Sequence, residues 1–138
     1  MSANQSRGDE LLSRVLSRLD GDGVIANDLL SEFQEGYPLE NLLQLLTSHE
    51  EAVAVSGMWI ASELGAKARP LFTEIIERLS HPSSDVRFFA LDCLVSCAGP
   101  DDKDAVNRGL DLIDDPDPTV VWKALMSVAS LPHLYFTR

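Results

Sequence analysis

The stretch SSDVRFFALDCLVSC, residues 83–97, decides the fold. It holds an Asp, an Arg, two adjacent phenylalanines and two cysteines four apart, side chains that suit a reaction centre as well as a helical scaffold. Aligning its neighbours beside it resolves the choice. Counting forward from Leu46, Leu79 and Ile113, which stand 33 and 34 residues apart, position seven is Val53, Val86 and Val120, and position eleven is Gly57, Ala90 and Ala124. Position twelve is Met58, Leu91 and Leu125, and position fifteen is Ala61, Leu94 and Val128. Offsets of 7, 11, 12 and 15 trace one helical stripe. Its recurrence at this period signals stacked helical units.

A second stripe precedes each starting residue. Leu39, Leu42, Leu43 and Leu46 recur as Phe72, Ile75, Ile76 and Leu79, then as Val106, Gly109, Leu110 and Ile113. Each unit is therefore a helix pair, with Gly109 interrupting one apolar match. Turn residues agree: Asp117-Pro118 reads as an N-cap with proline at the first helical position, Ser84 or Asp85 caps the segment after it, and Gly65 and Gly99 sit where a left-handed C-terminal residue is wanted. Upstream, Leu11, Leu12, Val15, Leu16 and Leu19 share a face. The pattern predicts eight helices, 9–20, 24–35, 38–48, 51–64, 67–79, 85–97, 102–113 and 118–130, with no strand. Residues 1–7 are expected to be disordered, 9–35 to cap the array, 38–131 to form the repeats and 132–138 to be a tail.

The residues 85–94 also resemble the first helix of a HEAT repeat, an acidic turn followed by Val-Arg and then small and leucine positions. Asp85, Val86, Arg87, Ala90 and Leu94 match it, whereas the other units place Ala54 and Val121 where the arginine would stand. The resemblance implies a single all-α domain, a short right-handed α-solenoid of about three HEAT-like helix pairs with an N-terminal capping helix. It further implies that Arg87 pairs with an acidic turn residue of the next unit, for which Asp117 is the candidate. Val53, Val86, Val120 and Arg87 are then structural. HEAT-like arrays serve scaffolds, inhibitors and a few enzymes, so fold alone does not give function.

Composition narrows the chemistry. The chain has 138 residues, 45% hydrophobic and 24% charged, with 11 basic against 22 acidic side chains and a net charge of −11. No apolar run reaches the roughly 18 residues that a membrane span requires, and the polar opening MSANQSRGDE lacks a secretory h-region, so a cytoplasmic protein is expected. Strong negative charge repels phosphate backbones, which argues against nucleic-acid binding and against the basic cleft of HEAT-like DNA glycosylases. Cys93 and Cys97 share a helical face with poor geometry for a disulfide, and small apolar thiols favour the core. The His-Glu pairs of HEAT-like di-iron hydroxylases have one counterpart, His49-Glu50, with no repeat at Pro82-Ser83 or Pro116-Asp117. No catalytic constellation, metal site or cofactor is expected.

The second helices carry outward rows Asn41, Glu74, Arg108; Gln44, Glu77, Asp111; and Ser48, His81, Asp115. In a solenoid such rows line one face. Gln44, Glu74, Glu77, Arg108, Asp111 and Asp115 are therefore candidate contacts for a basic protein partner, with Trp59, Trp122, Tyr37, Tyr135 and Phe136 as aromatic anchors. The function expected is a non-catalytic binding module, monomeric alone or heterodimeric with its partner. Most specifically it would be an acidic immunity or antitoxin-type inhibitor of a basic toxin nuclease. The first alternative is a scaffold or regulatory subunit that binds through apolar contacts, and the second, which the charge and the lone His-Glu pair argue against, is a HEAT-like enzyme, a lyase or metal hydroxylase.

Overall fold

The computed structural model describes residues 3–18 and 23–130. All regular structure among them is helical. Helix α1 spans Ala3–Leu16 and α2 spans Val24–Gln34. A 3-10 turn at Leu39–Leu42 runs into α3, Leu43–Leu46, and α4 follows at Glu51–Leu64. A 3-10 segment at Gly65–Leu71 leads to α5, Phe72–Glu77, and to a further turn at Arg78–Ser80. Then come α6, Ser84–Cys97, α7, Lys103–Leu110, a turn at Asp111–Asp114, and α8, Pro118–Ser130.

The helix ends follow local chemistry. Gly65 closes α4 at φ +58°, a conformation that disfavours side chains with a Cβ. Ser83, not Ser84 or Asp85, caps α6: its Oγ accepts the Val86 N–H at 3.4 Å. Asp117 accepts the Thr119 N–H at 2.8 Å and Pro118 opens α8, as expected. Gly99 is not left-handed, because α6 ends in an extended Ala98 instead. Residues 3–7, expected to be disordered, belong to α1, whose start lies six residues before the predicted one. The second helices are shorter than predicted and largely 3-10 at their ends, while 51–64 and 118–130 match their predicted bounds.

Helices α4, α6 and α8 pack in series, with α3 against α4, α5 against α6, and α7 between α6 and α8; α1 and α2 pack on each other and on α4. Val53, Val86 and Val120 are all buried, as are Leu42, Leu45, Met58, Ile75 and Leu91. Gly109 is no defect in this scheme. A Cβ there would stand 2.5 Å from Leu94 Cδ2 and 3.0 Å from Leu91 Cδ1, so the missing side chain lets α7 approach α6. Gly57 performs the same service for α3, with a notional Cβ 2.6 Å from Leu45 Cβ and 3.1 Å from the Leu45 carbonyl carbon.

The two glycines should respond differently to alanine. At Gly109 the obstruction is the end of a flexible leucine, and the gain in helix propensity of about 1 kcal/mol offsets much of the clash. At Gly57 the obstruction is backbone and Cβ, which cannot turn aside, and overpacking of that kind costs about 2 kcal/mol. Urea denaturation should place Gly109→Ala within about 1 kcal/mol of the parent and Gly57→Ala clearly below it.

Polar links tie successive units together. Arg18 donates to Glu50 at 2.9 Å, Arg69 to Asp102 at 2.5 and 3.1 Å, and Arg78 to the Leu46 carbonyl at 3.0 Å. Arg87 donates to Asp115 through Nε and Nη2 at 2.8 and 3.0 Å, Arg108 to Ser80 Oγ at 3.3 Å, and Lys123 reaches Asp92 at 2.6 Å. Each of these contacts joins residues 28 to 33 positions apart, so each crosses from one helix pair to the next. The expected Arg87 partner, Asp117, is therefore replaced by Asp115. The turn presents Asp115 to α6, while Asp117 is occupied as the cap of α8.

Candidate partner-binding surfaces

The predicted acidic rows are solvent-facing only in part. Gln44, Glu77, Arg108 and Asp111 are exposed and Glu74 is half-buried. Asp115 does not belong with them: its side chain is 3% exposed, held by Arg87 and by the Asp117 N–H at 2.8 Å. The Arg87 guanidinium holds its carboxyl below the usual carboxylate range. It is a structural residue. Tyr135 and Phe136 lie outside the described residues. Tyr37 is excluded as an anchor, since its ring lies buried over Gly8 and its hydroxyl donates to Asp9 Oδ1 at 2.6 Å. Burial, followed by that carboxylate, raises the phenol above its ordinary value of 10.0.

The cysteines are core thiols. Cys93 Sγ donates to the Ala61 carbonyl at 3.4 Å and Cys97 Sγ to the Gly65 carbonyl at 3.2 Å, with the sulfurs 3.7 Å apart. Both carbonyls belong to the preceding unit, so the pair fastens α6 to the end of α4. The contact with Cys97, reinforced by burial, raises the Cys93 thiol. Among the described residues no group of three or more His, Cys, Asp or Glu side chains could hold a metal ion. Nor is any helix there long and apolar enough to cross a membrane.

Sequence rows did not indicate the clefts that the fold forms on the α2 side of α4. One of about 440 Å³ is lined by Gly23, Ala26, Asn27, Val55, Ser56, Trp59 and Phe89. A second, about 460 Å³, is lined by Arg18, Glu50, Glu51, Ala52, Val55 and Asp85. They share Val55, and a smaller hollow of about 140 Å³ at Val15, Arg18, Ala52, Val53 and Ser56 borders both. The result is one groove along α4, aromatic at the Trp59 end and acidic at the Glu51 end. Phe89 is half-buried beside it, its ring edge-on to Phe88 at 5.4 Å. The adjacent phenylalanines thus divide one helix edge between them. Phe88 lies under the Lys123 ammonium of α8, and only Phe89 shares the cleft with α2, a neighbourhood that no periodicity reports.

The far end of the stack is different again. Met58 and Leu91 are buried, yet the equivalent Leu125 is 57% exposed; Ala61 and Leu94 are buried, whereas Val128 is exposed. Trp122, Met126 and Ile113 are exposed apolar side chains as well. The cause is positional: α7 covers Leu91 and Leu94 at Gly109, and no described helix does so for α8.

No protein-family model matches the chain, and no curated protein matches it. Among solved structures it is similar to an engineered protein determined by the Northeast Structural Genomics Consortium, at 14% identity with a TM-score of 0.61. The match covers 94% of this chain and 62% of the engineered one, so the chain spans less than two thirds of that protein's length. This likeness concerns the fold alone, and the all-α class stands with it.

Proposed function

We propose that this chain is a HEAT-like, non-catalytic binding module whose partner is a basic protein, most specifically an immunity or antitoxin-type inhibitor of a basic toxin such as a nuclease. The observation that carries the reading is how the charges are distributed. Arg18, Arg69, Arg78, Arg87, Arg108 and Lys123 are engaged in links between units. Meanwhile Glu51, Glu77, Asp85 and Asp111 are exposed and form no ion pair among the described residues. A net charge of −11 is therefore concentrated on solvent-facing carboxylates that attract a cationic surface and speed its approach.

The test is association kinetics with basic protein candidates, beginning with any nuclease encoded beside the gene. The expected association rate falls on the order of tenfold between low and high salt. Reversing Glu74, Glu77 and Asp111 to lysine, or Glu51 and Asp85, should slow it further. A rate indifferent to salt and to both reversals would remove the electrostatic reading. The second reading, a scaffold that binds through apolar contacts, is favoured by the exposed α8 surface. It predicts that Leu125→Ser with Val128→Ser weakens binding more than either charge reversal does.

A further inference from the structure

The α4 groove combines two features that a single kind of partner would satisfy. Its upper end offers Val55, Trp59 and Phe89 as an apolar wall, with Asn27 and Ser56 as polar neighbours. Its lower end offers Glu51 and Asp85, both exposed and without an ion pair among the described residues. The chain itself demonstrates what the lower end accepts, since the Arg18 guanidinium lies there on Glu50 at 2.9 Å. Glu51 and Trp59 are eight residues apart on α4, which at 1.5 Å per residue separates the two ends by about 12 Å. An extended chain covers that distance in three or four residues.

We propose that this groove docks an extended segment of a basic protein, with one bulky apolar side chain against Trp59 and Phe89 and a Lys or Arg three or four residues away on Glu51 and Asp85. The inference rests on the basic-partner reading and gives it an address: first helices, not the second-helix rows. Charge complementarity supplies orientation, because a segment entering in reverse would set its cation against the aromatic end and its apolar side chain against carboxylates. Aromatic burial supplies the affinity.

The probe is the peptide acetyl-Phe-Ser-Ser-Lys-amide, titrated at millimolar concentration into the isotopically labelled full chain and followed by amide and indole NMR shifts. Shifts should concentrate at Val55, Ser56, Trp59, Phe89, Glu51 and Asp85. Replacing Lys by Glu in the peptide, or Phe by Gly, should weaken binding at least about fivefold. In the surface variant Glu51→Lys/Asp85→Lys, which removes no core contact, the preference for Lys over Glu should disappear.

If the Lys peptide instead shifts residues around Glu74, Glu77 and Asp111, the groove assignment is overturned while the basic-partner reading survives. If Lys and Glu peptides bind the groove equally, the charge reading fails and so does this proposal. Two other occupants give their own signatures. Concentration-dependent shifts at Trp59 without peptide would mean a second copy fills the groove. A free-state indole exposed only by Leu19→Ser would mean that the chain fills it. Either result also overturns the proposal.

Discussion

Leu91→Ala should destabilise the protein by about 3 kcal/mol, whereas Leu125→Ala, the same position one unit later, should change stability by less than about 0.5 kcal/mol. The difference does not come from the side chain, which is leucine in both. Leu91 is 1% exposed, its Cδ1 against the close-packed Gly109 of α7, so truncation removes apolar atoms from contact and leaves a cavity that the tight glycine crossing cannot easily close. Leu125 is 57% exposed and loses little. Met58→Ala, wholly buried at the matching place in the first unit, should resemble Leu91→Ala. Parallel urea titrations measure all three. For a chain this size the Leu91 variant should also melt roughly 10 °C lower. Equal losses at positions 91 and 125 would mean that something beyond Ser130 seals the end of the stack.

Arg87→Ala should be comparably costly, about 3 kcal/mol, because it leaves Asp115 as a buried charge without its cation. The Asp115 side chain is 3% exposed and that of Arg87 13%. The same guanidinium also donates to the carbonyls of His81 and Pro82, at 2.9 and 3.0 Å, so its removal leaves these acceptors to water. The double variant Arg87→Ala/Asp115→Ala should cost less than the sum of the singles, since the second change removes the stranded carboxylate. Acid should act in the same direction. Hydrogen bonds from Arg87 to Asp115 and from Arg69 to Asp102 hold both carboxyls below their ordinary value of 3.8. A depressed folded-state value contributes stability above the unfolded one and loses it as pH falls through the folded one. The parent should therefore lose stability below about pH 4, and Arg87→Ala should lose less over the same interval. A pH-independent gap between them would contradict the assignment.

The stacking of α4, α6 and α8 was legible because three valines and three small residues at fixed offsets report burial directly. Features set by turns were not. Asp115 and Asp117 are two residues apart in one loop, and only backbone geometry decides which faces Arg87 and which caps α8. Asp115 looked outward by helical row because the row was extended past the point where the helix ends. Gly109 looked like a mismatch, since an apolar pattern records what fills space and not where a neighbouring helix needs it empty. Tyr37 looked like a surface anchor because nothing in its own segment shows that Gly8, far earlier, makes room for the ring. The groove was hidden for a related reason: Ala26 and Asn27 come from the non-repeating N-terminal pair, whose position over α4 lies outside the period. Its individual residues were visible, Trp59 among the anchors and Phe89 in the opening stretch, but their meeting was not.

The two ends of the helix series differ in how they are finished. Helices α1 and α2 close one side of α4, while α8 leaves Leu125 and Val128 uncovered. Among the described residues the two ends therefore bury unequal amounts of apolar surface. Local opening is expected to cost less around α8 than around Met58, and amide hydrogen exchange should be correspondingly faster there.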